Sequence, residues 1–387
     1  MTDITLIQVD ADLSRLNQYR LALEGFRRVM EGREVVTGPT AMAMRIALED
    51  AEVDQKEDKG VTGKDLVTGF KKVAITVRNI IQWLLRTIGK LVEKIGLGMQ
   101  KLGEKSKKVK QDLKAMPEVQ RSALGKGDLP PVDLRPEMLT IEGTFVGNDV
   151  EAVNNVIKMG AWINGDFPKM FDQMLGATEQ LARKHMKDDT SEAFFKALGS
   201  AISSSIKKPT VPFGGESFSN AGSSDMTQNT MPLMGDQGLT IVDGRQSSVI
   251  NDNNPVEMLR GWFVFTFGEY NTKSTGEVQI PLADFATISK ISDMVNASVD
   301  ANNSGANDVK SLMDKRVGSI NKLLDEMGQN DGPGASGEIA TAIGVMLQRM
   351  CDCMVQVHGW YSRTLNQELG YLGQSIAHVG KGEAEAA

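Results

Sequence analysis

One stretch limits the fold of this chain more than any other. Val73, Val77, Ile80, Ile81, Leu84, Leu85, Ile88, Leu91, Val92 and Ile95 recur at three- and four-residue steps. On a helix they form a single apolar stripe. Arg78, Gln82, Arg86, Lys90 and Lys94 follow at four-residue steps on the opposite face. The spacing predicts a long amphipathic helix with a basic polar side. Its stripe must lie against other helices, or against the apolar boundary of a membrane with Trp83 near that boundary and the bases toward anionic lipid. Contact of the bases with nucleic acid is a third use. The lack of aromatic residues among the bases argues against stacking on single strands.

Charge sets this stretch apart. Residues 64–114 hold thirteen bases (Lys64, Lys71, Lys72, Arg78, Arg86, Lys90, Lys94, Lys101, Lys105, Lys107, Lys108, Lys110 and Lys114) against Asp65, Glu93, Glu104 and Asp112. The whole chain of 387 residues carries a formal net charge of −7. An acidic protein with one strongly basic segment points to a polyanion or an anionic membrane surface, or to a solvated helix whose bases pair with the acidic remainder. Lys71, Lys72, Arg78, Trp83, Arg86, Lys90, Lys94, Lys105, Lys107, Lys108 and Lys110 are the candidate contact residues.

The rest of the chain reads as mainly α. Residues 1–51 form a helical hairpin: Leu13, Leu16, Tyr19, Leu23 and Phe26 mark the first helix, Gly38-Pro39-Thr40 the break, and Ala41, Met44, Ile46 and Leu48 the second. Residues 52–63 are polar and read as a linker, and residues 64–128 as the basic segment, its helix weakening at Gly96 and Gly98 and its lysine-rich end solvated. Leu129-Pro130-Pro131 and Arg135-Pro136 form an extended connector at the start of a helical region, 129–206, which Asn164-Gly165-Asp166-Phe167-Pro168 interrupts. Residues 207–280 combine a Gly/Ser-rich loop, to about residue 234, with a β-prone insertion. There Leu239 to Val242, the alternating GWFVFTFGEY and Glu277 to Ile280 suggest a small antiparallel sheet or hairpin turning at 271–276. Residues 281–380 return to helices, one beginning at Pro281 and broken at 302–305, and 381–387 are a tail. The expected fold is a multi-helix bundle with a small β insertion.

Catalytic chemistry is thin. His185, His358 and His378 form no metal-ligand spacing, and Cys351 and Cys353 lie two apart in a helical pattern, where they point to different faces. Buried free thiols are expected, not a metal pair or a disulfide scaffold. The Gly-Lys pair in VTGKDLVTG lacks the remaining residues of a phosphate loop. No cofactor or metal is implied. An enzyme would need a site assembled from scattered residues of 239–280. No run of about 18 uncharged apolar residues occurs, and the acidic N-terminus does not read as a secretion signal.

The order of segments resembles the internal head proteins of large contractile-tailed bacteriophages. The likeness rests on the hairpin QYRLALEGFRRVMEGREVVTGPTAMAMRIALED, the basic helix KKVAITVRNIIQWLLRTIGKLVEKI, then PLADFATISKISDMVNASVDANN, DVKSLMDKRVGSINKLLDEM and the closing IGVMLQRMCDCMVQVHGWYSRTLNQEL. It covers about half of the chain and leaves out 239–280. The resemblance implies a non-enzymatic virion protein packed with the genome inside the head. Other virion proteins would be its partners, with packaged DNA met through the basic segment. It further implies host cytoplasm during assembly and after ejection, where host membrane becomes a partner. A membrane-active effector working through residues 73–95 is the alternative. Such proteins are often trimmed after Ser/Ala-x-Glu, a pattern found here at Glu24, Glu49, Glu179 and Glu338. Glu24 and Glu49 are the candidate cleavage points, and a cut after Glu49 would remove the hairpin.

Overall fold

In a computed structural model the chain is mainly α, with three small antiparallel sheets among the described residues. The structure describes residues 6–37, 39–50, 60–129, 135–203, 205–214, 226–243, 256, 259, 262, 264–269, 279–329 and 334–382. Three long helices dominate: α3 (Gly63–Ala115), α8 (Phe285–Gly328) and α9 (Ala335–Gly382). Both α8 and α9 pack extensively on α3.

The basic segment folds into α3, 53 residues long and so about 80 Å from end to end. Its start is held by Asp65, whose Oδ2 accepts from the Thr62 amide at 2.8 Å and from the Thr62 hydroxyl at 2.7 Å. Pro117 follows its end at Met116. The helix does not weaken at Gly96 and Gly98. Met99, Leu102, Val109 and Leu113 continue the buried stripe beyond them, so the lysine-rich end is docked as well as solvated. Burying each such side chain contributes about 1.5–3 kcal/mol, more than the roughly 1 kcal/mol a helical glycine costs.

The last helix, α9, is the axis of the molecule. Ile339, Ile343, Leu347, Met350, Met354, Val357, Tyr361, Leu365 and Leu372 are all buried on it. So are Val345, Cys351 and Cys353 on its other sides. From Ala340 to Met354 this helix is buried on nearly every side, which places that stretch inside the core. This is why two cysteines that face different ways are both buried. The same argument applies to α8: the expected break at 302–305 does not occur, because Val299, Val309 and Met313 keep one buried face across it. That helix begins at Phe285 rather than Pro281, with the Asp284 carboxylate accepting from the Thr287 amide at 2.8 Å.

The N-terminal hairpin consists of α1 (Leu6–Met30) and α2 (Pro39–Asp50). Strands β1 (Val35–Val36) and β2 (Val61–Thr62) pair antiparallel and tie it to the start of α3. Most of the expected linker, residues 51–59, lies outside the described residues, as does 130–134 of the proline connector. Val9, Leu13, Leu16, Leu23, Met44 and Leu48 of the hairpin are buried in the common core. Short helix α4 (Glu118–Ala123) follows α3. A 3-10 turn, Pro136–Leu139, leads into the two-residue strands β3 (Thr140–Ile141) and β4 (Thr144–Phe145).

Helix α5 (Val150–Ala161) runs into α6 (Phe167–His185) without a break. The expected interruption is one wide π turn, Trp162–Asp166, and α7 (Glu192–Ser203) follows. The insertion forms a three-stranded sheet of β5 (Met226–Asn229), β6 (Gln237–Asp243) and β7 (Val264–Glu269), ordered β5-β6-β7. Two expectations change here. The partner of β7 is β6, with Leu239 opposite Phe267 and Ile241 opposite Phe265. The turn at 271–276 and residues 277–278 lie outside the described residues, and Gln279 and Ile280 are not in a strand. The sheet's third strand comes from the segment read as loop, since MTQN has no apolar alternation. Phe265 and Phe267 face inward as the alternation predicts. Phe267 stacks on Trp360 at 5.1 Å, and Phe265 meets Phe167 edge to face at 5.6 Å.

Candidate polyanion interface

Most of the stripe of α3 lies in the core: Val73, Val77, Ile81, Leu84, Leu85, Ile88, Val92 and Ile95 are buried, and Ile80 and Leu91 are half-buried. The bases therefore face outward, but they do not all remain free. Lys71, Lys72, Arg86, Lys90, Lys94, Lys107 and Lys108 are exposed. Arg78 is half-buried against the end of α8. Gly328 makes room for it there, its guanidinium Nη1 lying 2.6 Å from where a Cβ would stand. The C-terminus of a helix favours such a cation.

Lys105 and Lys110 are also half-buried and are directed to protein. The Lys105 Nζ donates to the Asn366 carbonyl at 2.7 Å and to its side-chain oxygen at 2.9 Å, and burial lowers its pKa. Lys110 pairs with Asp293 of α8. Trp83 is half-buried and packs against the core. The structure thus brings seven of the ten candidate bases to the surface and diverts three into contacts between helices. Among the described residues no helix is long and apolar enough to cross a membrane.

The candidate cleavage residues sit in contrasting places. Glu24 is in the middle of α1. It accepts from Arg27 Nε at 3.1 Å and from the Gly334 amide at 3.2 Å, and lies 3.7 Å from Arg20. Arg20, itself buried, also pairs with Glu338 in the first turn of α9, and Ser191 donates to the same carboxylate. Burial lowers the Arg20 pKa against the pull of both carboxylates. A cavity of about 520 Å³ opens beside this cluster and is bordered by Arg28 and Lys196. Glu179 is likewise tied up, by Arg183 at 3.0 Å, Arg316 at 2.9 Å and Ser319. Glu49 is the penultimate residue of α2.

These clusters join residues more than a hundred positions apart, and no local pattern announces them. Two further acids, buried Glu368 and half-buried Asp352, carry no signal in the sequence. Glu368 on α9 is fully buried, with no partner for either carboxylate oxygen, and its pKa is raised well above the ordinary value by burial. Asp352 is pushed up to about 6, by burial and then by Asp10 of α1.

Among the described residues the three histidines and two cysteines stand apart from one another. His185 bonds Asp188 at 2.7 Å, His358 bonds Ser362 at 3.1 Å with its pKa lowered by burial to about 4, and His378 is exposed. Burial raises both cysteine thiols above their ordinary range, which leaves them unreactive. Beside β7 a cavity of about 220 Å³ is lined by Asp10, Thr266, Gln348, Arg349 and Asp352, with no histidine among its lining residues. Among the described residues no group of three or more His, Cys, Asp or Glu is placed to hold a metal ion.

No curated protein and no solved structure matches the chain. The family model of the phiKZ-like phage internal head proteins matches residues 2–374. That match spans nearly the whole chain, hairpin, basic helix, sheet and closing helices alike, and the chain belongs to the phiKZ-like phage internal head proteins.

Proposed function

We propose that this structural protein of the virion interior is non-enzymatic, is packed in the head together with the genome, and meets the DNA through the bases of α3. One observation carries the reading: α3 is docked by eight buried residues of its apolar stripe and still presents exposed bases along its length. A helix held this way offers charge without offering an insertable face. That favours a polyanion over a lipid surface.

Maturation by cleavage after Glu49 is part of the proposal. Glu24, Glu179 and Glu338 are held in ion pairs within folded helices, where a protease cannot take the chain in extended form. Glu49 stands at a helix end, adjoining residues 51–59. Peptide-level mass spectrometry on DNase-treated particles tests both parts. The expected result is the chain inside particles with an N-terminal peptide beginning at Asp50. Absence from particles overturns the packaging reading, and a packaged chain uncut between Glu49 and Asp50 overturns the cleavage.

A further inference from the structure

The exposed bases of α3 are not scattered around the helix. With about 100° per residue, Lys72, Arg86, Lys90, Lys94, Lys101 and Lys108 fall within a sector of about 80°. All six are exposed, and none makes an ion pair among the described residues. Lys64, Lys71, Lys107 and Lys114 are exposed too, but lie about 80–120° away around the helix. From Lys72 to Lys101 the sector itself contains no acid, Glu93 lying about 20° outside its Arg86 edge, and Glu104 interleaves at its far end. The run from Lys72 to Lys108 is about 54 Å long.

We infer that this ridge is a contact surface for the sugar-phosphate backbone of straight duplex DNA, about 16 base pairs in length at 3.4 Å per base pair. The inference rests on the proposed packing with the genome and specifies which side of α3 carries it. The ridge is rigid because the opposite side of the helix is anchored in the core, and duplex DNA is straight over this distance. Arg86, Lys90 and Lys94 rise by about 6 Å per step, which suits long side chains reaching neighbouring phosphates. Apart from half-buried Trp83, no aromatic residue lies on the ridge, so neither base stacking nor sequence readout is built in. Binding is therefore independent of sequence and dependent on salt.

The test uses the full chain and two variants that each lose four charges. One is K72Q/R86Q/K90Q/K94Q on the ridge. The other is K64Q/K71Q/K107Q/K114Q off it. Helix content and thermal midpoint confirm that each folds. Binding to a 20-base-pair duplex of arbitrary sequence is followed between 50 and 200 mM salt. The slope of log affinity against log salt should flatten by about 3–4 in the ridge variant, at about 0.9 per lost phosphate contact. At the lower salt its affinity should fall at least tenfold, while the off-ridge variant stays within about threefold of the wild type. Equal losses in both variants overturn the ridge and leave genome contact standing. No duplex binding by the wild type overturns both. Wild-type binding to anionic vesicles of phosphatidylglycerol but not to duplex overturns the inference in favour of a membrane.

Discussion

At the scale of single residues, the polar groups that matter most are buried charges rather than surface bases. Arg20 joins α1 to the start of α9 and, through Ser191, to the segment ahead of α7. Arg20→Ala leaves Glu338 in a largely buried site without its cation. The expected loss is about 3–5 kcal/mol, read as a lower urea midpoint with an unchanged slope. Glu368 works in the opposite direction. Its folded pKa lies above the ordinary value of 4.5, so between those two values the folded state binds more protons than the unfolded one. Its contribution to stability therefore falls as pH rises through that window and is neutral below it. Among the described residues neither carboxylate oxygen has a hydrogen-bond partner. On the elements around this part of α9, Lys105 bonds Asn366, Lys110 pairs with Asp293, Asp284 caps α8, and Tyr371 donates to the Pro281 carbonyl. Glu368→Gln should be more stable than the wild type at pH 8 and equal to it near pH 4. His358, with a folded pKa of about 4 against 6.5, adds an opposite trend in which stability is lost as pH falls below 6.5. The diagnostic quantity is therefore the difference between variant and wild type in denaturation at each pH. A difference that does not change with pH contradicts this assignment.

At the scale of elements, periodicity makes some features legible and conceals others. The stripe of α3, the inward Phe265 and Phe267 of β7 and the apolar side of α1 are visible because one buried face repeats at the period of the element. Helix ends were harder to read. Gly96, Gly98 and residues 302–305 look like breaks locally, but the stripe resumes beyond each of them and burial outweighs the glycine cost. Strand β5 has no pattern of its own and exists because β6 offers an edge. One glycine inside a helix has a packing reason: a Cβ on Gly160 of α5 would stand 2.2 Å from the Tyr361 ring. Gly160→Ala should displace that ring from its bond to Ser298, 3.1 Å long, and cost about 1–3 kcal/mol. The thermal midpoint and the near-ultraviolet signal of the tyrosine report it. The hairpin gives another prediction. Its buried Leu13, Leu23, Met44 and Leu48 and the Arg20 cluster hold it to α3 and α9, so a cut in residues 51–59 should not release it. A specific protease site placed there should give two fragments that co-elute in native buffer and separate only in denaturant. Separation in native buffer contradicts the docking of α1.

At the scale of the whole molecule, the chain is an acidic bundle around a buried axial helix, with one basic helix on its flank. The division of labour on α3 was visible in the sequence only as a balance of bases over acids. Which bases remain free depends on where α8 and α9 pass, and so Arg78, Lys105 and Lys110 could not be told from Lys90 beforehand. The polar clusters could not be foreseen at all, because α9 is surrounded and its NQELGY stretch reads locally as an ordinary polar face. The central claim is that the outward side of α3 meets packaged DNA. Lysine labelling inside intact particles, compared with heads emptied of DNA, tests it most directly. The account predicts that Lys72, Lys90, Lys94 and Lys101 are protected in full heads and become reactive in empty ones, while Lys64, Lys71, Lys107 and Lys114 change little. Equal reactivity of the two sets in full and empty heads would contradict it.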